Sequence, residues 1–199
     1  MSDKTLTKKS EIKKLAILNN ARKVFSKKGF SAVTMQDIIE ACGISRGGIY
    51  LYFTSVDDIF FETMTQRSVH QFDKIREAVI KQPSFEQILN DYLLEHKNRL
   101  LNHMANGCSL LRAMYEYSFT HHSDRDRSLK QKQVNATKAT VRSILDLGVK
   151  QGKIDSHDIK IIADNFMFII EGMSILALTG ELKEKQIDDQ FEMFIKKLL

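Results

Sequence analysis

Residues 34–53 read TMQDIIEACGISRGGIYLYF. Two short helical patterns meet here at a glycine. Thr34 precedes Met35, Gln36 and Asp37, so it caps a helix that runs to about Ala41, and Asp37 completes a capping-box variant. Ile38 and Ile39 give that helix a buried face. Gly43 permits the positive φ of a tight turn, and Ile44 plugs it. Ser45 caps a second helix from Arg46 to about Tyr52. Ile49 and Phe53, four residues apart, face inward. Arg46, Gly47, Gly48, Tyr50 and Tyr52 are left outside.

A short exposed helix braced by another across a glycine turn is the layout of a helix-turn-helix, which lays its second helix in the major groove of DNA. Arg46 can pair with guanine O6 and N7, or it can hold a phosphate; the sequence leaves both open. Gly47 and Gly48 each cost about 1 kcal/mol relative to alanine in a helix interior. That cost makes sense where backbone must come close to another molecule; the alternative is a frayed end. Tyr50 and Tyr52 offer hydroxyls to phosphate, or close the rim of the core. Thr34 and the free N–H groups of its helix suit a phosphate.

The charge distribution agrees. Residues 1–55 hold ten Lys/Arg and four Asp/Glu, whereas the remaining 144 residues hold twenty and twenty-one. The whole excess of +5 therefore lies beside the expected reader, where phosphates would be neutralised. One proline, nine glycines and no tryptophan in 199 residues favour helix over many short strands. Two cysteines, Cys42 and Cys108, suggest buried structural thiols in a reducing cytoplasm rather than a disulfide framework. No run approaches the apolar length of a membrane span, and the polar start lacks the core of a signal peptide.

Along the rest of the chain, Glu11 to Lys28 has apolar residues at helical spacing (Ile12, Leu15, Ala16, Ile17, Leu18, Ala21, Val24, Phe25) behind a polar arm, and Gly29 ends it. Ser55 and Asp58 open a long helix to about Lys81, with Val69, Phe72 and Ile75 on its apolar face, and Pro83 stops it. Further helices are expected from Ser84 to about Asn102, from Gly107 to about Phe119, and from a polar loop at 120–127 to about Gln151. Ser156 caps one over Asp158 to about Leu178, and a last one covers about Asp188 to Leu198. The fold class is all-α: a three-helix domain over 1–54, then a larger helical domain over 55–199.

Ala21 to Phe53 resembles the N-terminal domain of the TetR family of transcriptional regulators. The resemblance rests on Ala21, Phe25, Gly29 and Phe30, then Thr34 and Ile38, then Ala41 to Ser45 and the run RGGIYLYF at 46–53. It implies a homodimer that binds an operator palindrome and represses until a small molecule loosens it. It also implies a helical ligand-binding and dimerisation domain, with the last two long helices forming a four-helix bundle across the dimer. Family members often carry a lysine at the start of the fourth helix that touches phosphate. Val56 stands there in this chain, so Thr54, Ser55, Lys27 and Lys28 are the substitutes. The DNA-contacting set is then Lys27, Thr34, Ser45, Arg46, Gly47, Gly48, Tyr50, Tyr52 and Thr54.

In the second domain, the apolar residues Met104, Cys108, Leu111, Met114 and Phe119, with Tyr92, Tyr115, Asn165, Phe166 and Met173, are candidates for a ligand pocket suited to a hydrophobic effector; Glu116 is a further polar candidate. Ordinary core packing is the alternative. The helix near 158–178 is apolar nearly all round and needs cover on more than one side, which makes Phe168, Ile175 and Leu176, with Phe191 and Phe194, candidates for a dimer interface. His121 and His122 beside Asp124 and Asp126 lack metal-ligand spacing, and no cofactor motif or catalytic constellation stands out. The expected function is a DNA-binding regulator, not an enzyme. A helical small-molecule-binding protein or enzyme that has lost DNA affinity is the alternative, supported by Val56.

Overall fold

The computed structural model describes residues 2–81, 83–155 and 158–198. Among these the chain is all helix: α1 (Ser2–Lys28), α2 (Met35–Cys42), α3 (Arg46–Tyr50), α4 (Val56–Ile80), α5 (Phe85–Asn106), α6 (Leu110–Thr120), α7 (Asp124–Lys150), α8 (Ile159–Thr179) and α9 (Glu184–Leu198). They divide into two compact units, one of Met1–Arg67 with Cys108–Leu129, the other of Ser68–Gly107 with Lys130–Leu199.

The first unit is built on aromatic packing. Ile17, Leu18, Ala21 and Phe25 of α1 share a core with Ile38, Ile39, Ile49, Phe53 and the α4 residues Ile59, Phe60 and Met64. The Phe60 ring lies 4.9 Å from both Phe25 and Tyr117 and 5.0 Å from Phe30. Tyr117, with Leu110 and Ala113, comes from α6, which chain order alone assigns to the later domain. The reader is thus completed by a helix some sixty residues downstream, a long-range pairing that no periodicity announces.

Several expectations change. The first helix begins at Ser2 rather than after a polar arm, because residues 2–10 contain no glycine or proline to stop it. Ile12, Leu15 and Ala16 are exposed, so the inward stripe of α1 is narrower than its apolar composition. The polar loop expected to last until residue 127 ends at Ser123. There Ser123 and Asp126 form a reciprocal cap, the Asp126 N–H donating to Ser123 Oγ and the Ser123 N–H to Asp126 Oδ2. Helix α9 starts at Glu184, four residues early, where Gln186 Oε1 accepts from the Lys183 N–H. The face expected at Val69, Phe72 and Ile75 and the cap expected at Ser156 lie outside what the structure describes.

The second unit buries Phe85, Ile88, Leu89, Tyr92 and Leu93 of α5, Val141, Ile144 and Leu145 of α7 and Phe166 and Ile170 of α8. Gly148 lets α7 meet α5, since a Cβ there would stand 2.8 Å from the Phe85 ring. Helix α8 has 21 residues and contains an 18-residue stretch with a mean hydropathy of 1.7, so on length and composition it could cross a membrane, contrary to the sequence expectation. Its Ala163, Phe166, Met167, Ile170, Met173 and Ala177 are nevertheless buried within the unit. Ile161, Phe168, Ile175 and Leu176 are exposed on its other side.

Candidate nucleic-acid interface

Thr34 caps α2 as expected. Its Oγ1 accepts from the Asp37 N–H at 3.2 Å and donates to Asp37 Oδ2, which also accepts from the Thr34 N–H at 2.9 Å. Lys28 Nζ closes on the other carboxylate oxygen at 2.5 Å. Lys28 first, then the Thr34 backbone and hydroxyl, pull the Asp37 pKa down to about 2. The Thr34 hydroxyl proton is therefore engaged within the chain, and Lys28 neutralises the carboxylate where α2 would approach phosphate. Lys27, adjacent on the last turn of α1, is exposed.

Gly43 closes α2 with φ 61°, and the chain turns directly into α3. Ser45 Oγ accepts from the Gly48 N–H at 3.1 Å. Ile49 is fully buried and roots this five-residue helix in the core. Outward stand Ser45, Arg46, Gly47 and Tyr50, with the Arg46 guanidinium 5.8 Å from the Tyr50 ring centroid. The two glycines differ. A Cβ on Gly48 would stand 3.2 Å from Ser45 Oγ, so the cap itself favours glycine there. A Cβ on Gly47 would meet nothing within 4 Å. Nothing packed against Gly47 calls for a glycine there.

Tyr52 is half-buried and packs on the core rather than standing clear. Thr54 donates to Asp58, which also takes the Arg125 guanidinium at 2.8 Å, so its hydroxyl proton too is engaged. Val56 packs against the core, which explains an apolar residue at that turn. One exposed side chain escaped the sequence reading: Leu51 is 81% exposed, on the same face as Gly47. An apolar residue flanked by two tyrosines looks like core until the register is known.

Glu116 has a different role from the pocket lining expected of it. From α6 its Oε2 accepts from the Phe30 N–H at 2.6 Å and the Ser31 N–H at 2.8 Å, while Arg112 holds Oε1 at 2.5 Å. Burial pushes its pKa up, but the two backbone donors and Arg112 together hold it below the ordinary value. Gly29 makes room, with φ 81° and a would-be Cβ only 2.7 Å from Glu116 Oε2. Arg125 adds a second tie, lying over Phe61 at 4.0 Å while it pairs with Asp58. His121 stacks on Tyr117 at 4.1 Å, its ring packed into this junction.

The expected pocket residues divide between the two units. Met114 packs on the reader core, and Cys108, Leu111, Tyr115 and Phe119 belong with it to the first unit. Cys108 and Phe119 are exposed, contrary to a buried thiol and a pocket wall. Asn165 is exposed on the outer face of α8. Tyr92, Phe166 and Met173 are buried in the second unit, where Tyr92 and Phe166 meet at 5.8 Å around His96; Met104 of the same unit is half-buried. Of the proposed interface, Phe168, Ile175 and Leu176 are exposed, but Phe191 and Phe194 are buried, 6.4 and 5.0 Å from the Phe166 ring.

Comparison with known proteins agrees with this geometry. Residues 17–63 match the model of the tetR family of bacterial regulatory proteins. The uncharacterised HTH-type transcriptional regulator YfiR of Bacillus subtilis is 27% identical over 207 residues, covering 100% of this chain and 98% of that one. The HTH-type transcriptional repressor ComR of Escherichia coli is 27% identical over 85% of this chain and 81% of its own. Among solved structures, reduced NemR of Escherichia coli superposes with a TM-score of 0.74 at 14% identity, over 94% of this chain and 97% of that one. A TetR transcription regulator from Haloarcula marismortui gives 0.73 at 15%, over 95% and 99%. An exposed, arginine-bearing helix, the matched stretch around it and the all-helical fold lead to one conclusion: this chain resembles the TetR family of transcriptional regulators, whose N-terminal domain it matches over residues 17–63.

Proposed function

We propose that the protein is a homodimeric repressor that binds a palindromic operator and leaves it when a small molecule enters the second unit. The observation that carries the DNA-binding half is Gly47, bare and unexplained by any neighbour, beside exposed Arg46 and Tyr50. The similarity to ComR, itself a repressor, favours repression. For an effector, the buried Tyr92, His96 and Phe166 rings offer an aromatic surface, with Arg99 near Tyr92. An apolar or aromatic molecule with one polar edge suits that lining. Release acts through α4, shared between the two units in sequence, and through the Glu116 tie to the turn after α1: a ligand that binds better when these shift draws the readers off groove spacing.

Selection of bound sequences from a random duplex pool tests this reading. The expected product is a palindrome whose affinity falls steeply as salt rises. No enrichment at low salt would refute it. Repression and release are then read as operator affinity with and without a molecule shown to bind the second unit; affinity unmoved by it refutes the release mechanism.

The dimer has its own test. Ile161, Phe168, Ile175 and Leu176 form an exposed apolar stripe along α8. Such a stripe suits an isologous contact with a second copy. Phe168→Glu should raise the dimer dissociation constant by about tenfold or more, as expected for losing a buried aromatic anchor. Sedimentation across a concentration series checks it.

A further inference from the structure

We infer that Leu51 reads a thymine methyl group in each half of the DNA target, which makes it a specificity-determining residue of the reader; the inference rests on the DNA-binding function proposed above. Leu51 is the C-cap of α3 and keeps helical dihedrals, φ −69° and ψ −19°. The four-residue spacing therefore holds from Gly47 to Leu51, and the two lie on one row. Leu51 thus follows Gly47 by one helical turn on the same side of α3. A Cβ on Gly47 would have no neighbour within 4 Å, so no side chain, Leu51's included, covers that backbone. The result is an apolar ledge beside bare backbone, open to solvent.

The adjacent row is different. Arg46 and Tyr50, also four apart, stack on each other and present a guanidinium and a hydroxyl. The reading helix thus carries a polar row for phosphate or guanine and an apolar row with one large side chain. Leu51 contributes nothing to the core at 81% exposure, the largest value among the exposed large apolar residues described. The major-groove edge of DNA offers just one apolar group, the C5-methyl of thymine. An exposed leucine beside bare backbone matches that group on the major-groove base edges.

The test uses the full-length protein and the duplex it selects from a random pool. Each fixed thymine of the half-site is replaced in turn by deoxyuridine, which removes the methyl and leaves the hydrogen-bonding edge. At one position the wild-type protein should lose about fourfold in affinity per half-site, the value of one buried methyl group. Leu51→Ala, at a position 81% exposed, should bind more weakly and lose its discrimination between thymine and uracil at that same position. A thymine preference that survives in Leu51→Ala overturns the inference, as does a wild-type protein indifferent to uracil everywhere; in both cases DNA binding itself stands. Failure to select any duplex overturns the inference together with the function on which it rests.

Discussion

Gly47→Leu will fold as stably as the wild-type chain, or slightly more so, and will lose at least about 100-fold in affinity for duplex DNA. The two signs come from different physics. Within the protein, leucine replaces glycine in a helix and meets no neighbour, so helix propensity contributes roughly 0.8 kcal/mol in favour of folding. Against DNA, the new side chain stands between α3 and the base edges. It holds the helix away by more than the tolerance of a hydrogen bond, and each half-site forfeits a base contact worth about 1–3 kcal/mol. Two half-sites at the middle of that range forfeit about 4 kcal/mol together, more than the roughly 2.8 kcal/mol of a 100-fold loss. Thermal unfolding and a binding titration on the same preparation check both signs. Gly48 is the instructive control: a side chain there crowds Ser45 Oγ at 3.2 Å, so its variants should lose some stability along with binding. Normal DNA binding by Gly47→Leu would mean that this face of α3 does not enter the groove.

Glu116→Ala should cost about 2–4 kcal/mol of stability, because one carboxylate satisfies two backbone donors and charge-assisted hydrogen bonds are among the stronger ones. Glu116→Gln keeps an acceptor without the charge and should lose about half as much. The pH dependence identifies the cause. The folded pKa of Glu116 lies below its ordinary value of 4.5, so its contribution is fully present above that value and is lost as pH falls through the folded pKa. The stability gap between wild type and Glu116→Ala should therefore be constant near neutrality and shrink below about pH 4.5. Urea denaturation at a series of pH values measures it. A gap that does not change with pH would mean that the carboxylate charge is not what holds the turn.

These two residues show where sequence reading succeeds and where it stops. The caps at Thr34 and Ser45, the turn at Gly43 and the inward pair Ile49 and Phe53 are local: each follows from residues within four positions of its partner. Local rules therefore gave the reader nearly residue by residue. Glu116 acts on residues 85 and 86 positions away, and nothing near it in sequence distinguishes it from a solvated helix carboxylate. The apolar pocket candidates divide between the two units for a related reason. Composition says that a methionine or phenylalanine wants cover, not which unit supplies it, so Met114 went to the reader core and Phe119 to the surface. Phe191 and Phe194 illustrate the converse, since a short helix with a strong apolar stripe first satisfies its own unit before offering anything to a second copy.

The partition of the chain bears on transplanting readers between regulators. A graft cut after residue 54 would carry α1, α2 and α3 away from the carboxylate that fastens the turn at Phe30 and from the guanidinium that grips Asp58. The portable cassette in this protein is discontinuous: Met1–Arg67 must travel with Cys108–Leu129. A chimaera that keeps the recipient's own sixth helix needs an acid at the position of Glu116 and an unhindered glycine facing it, or the borrowed reader arrives loose.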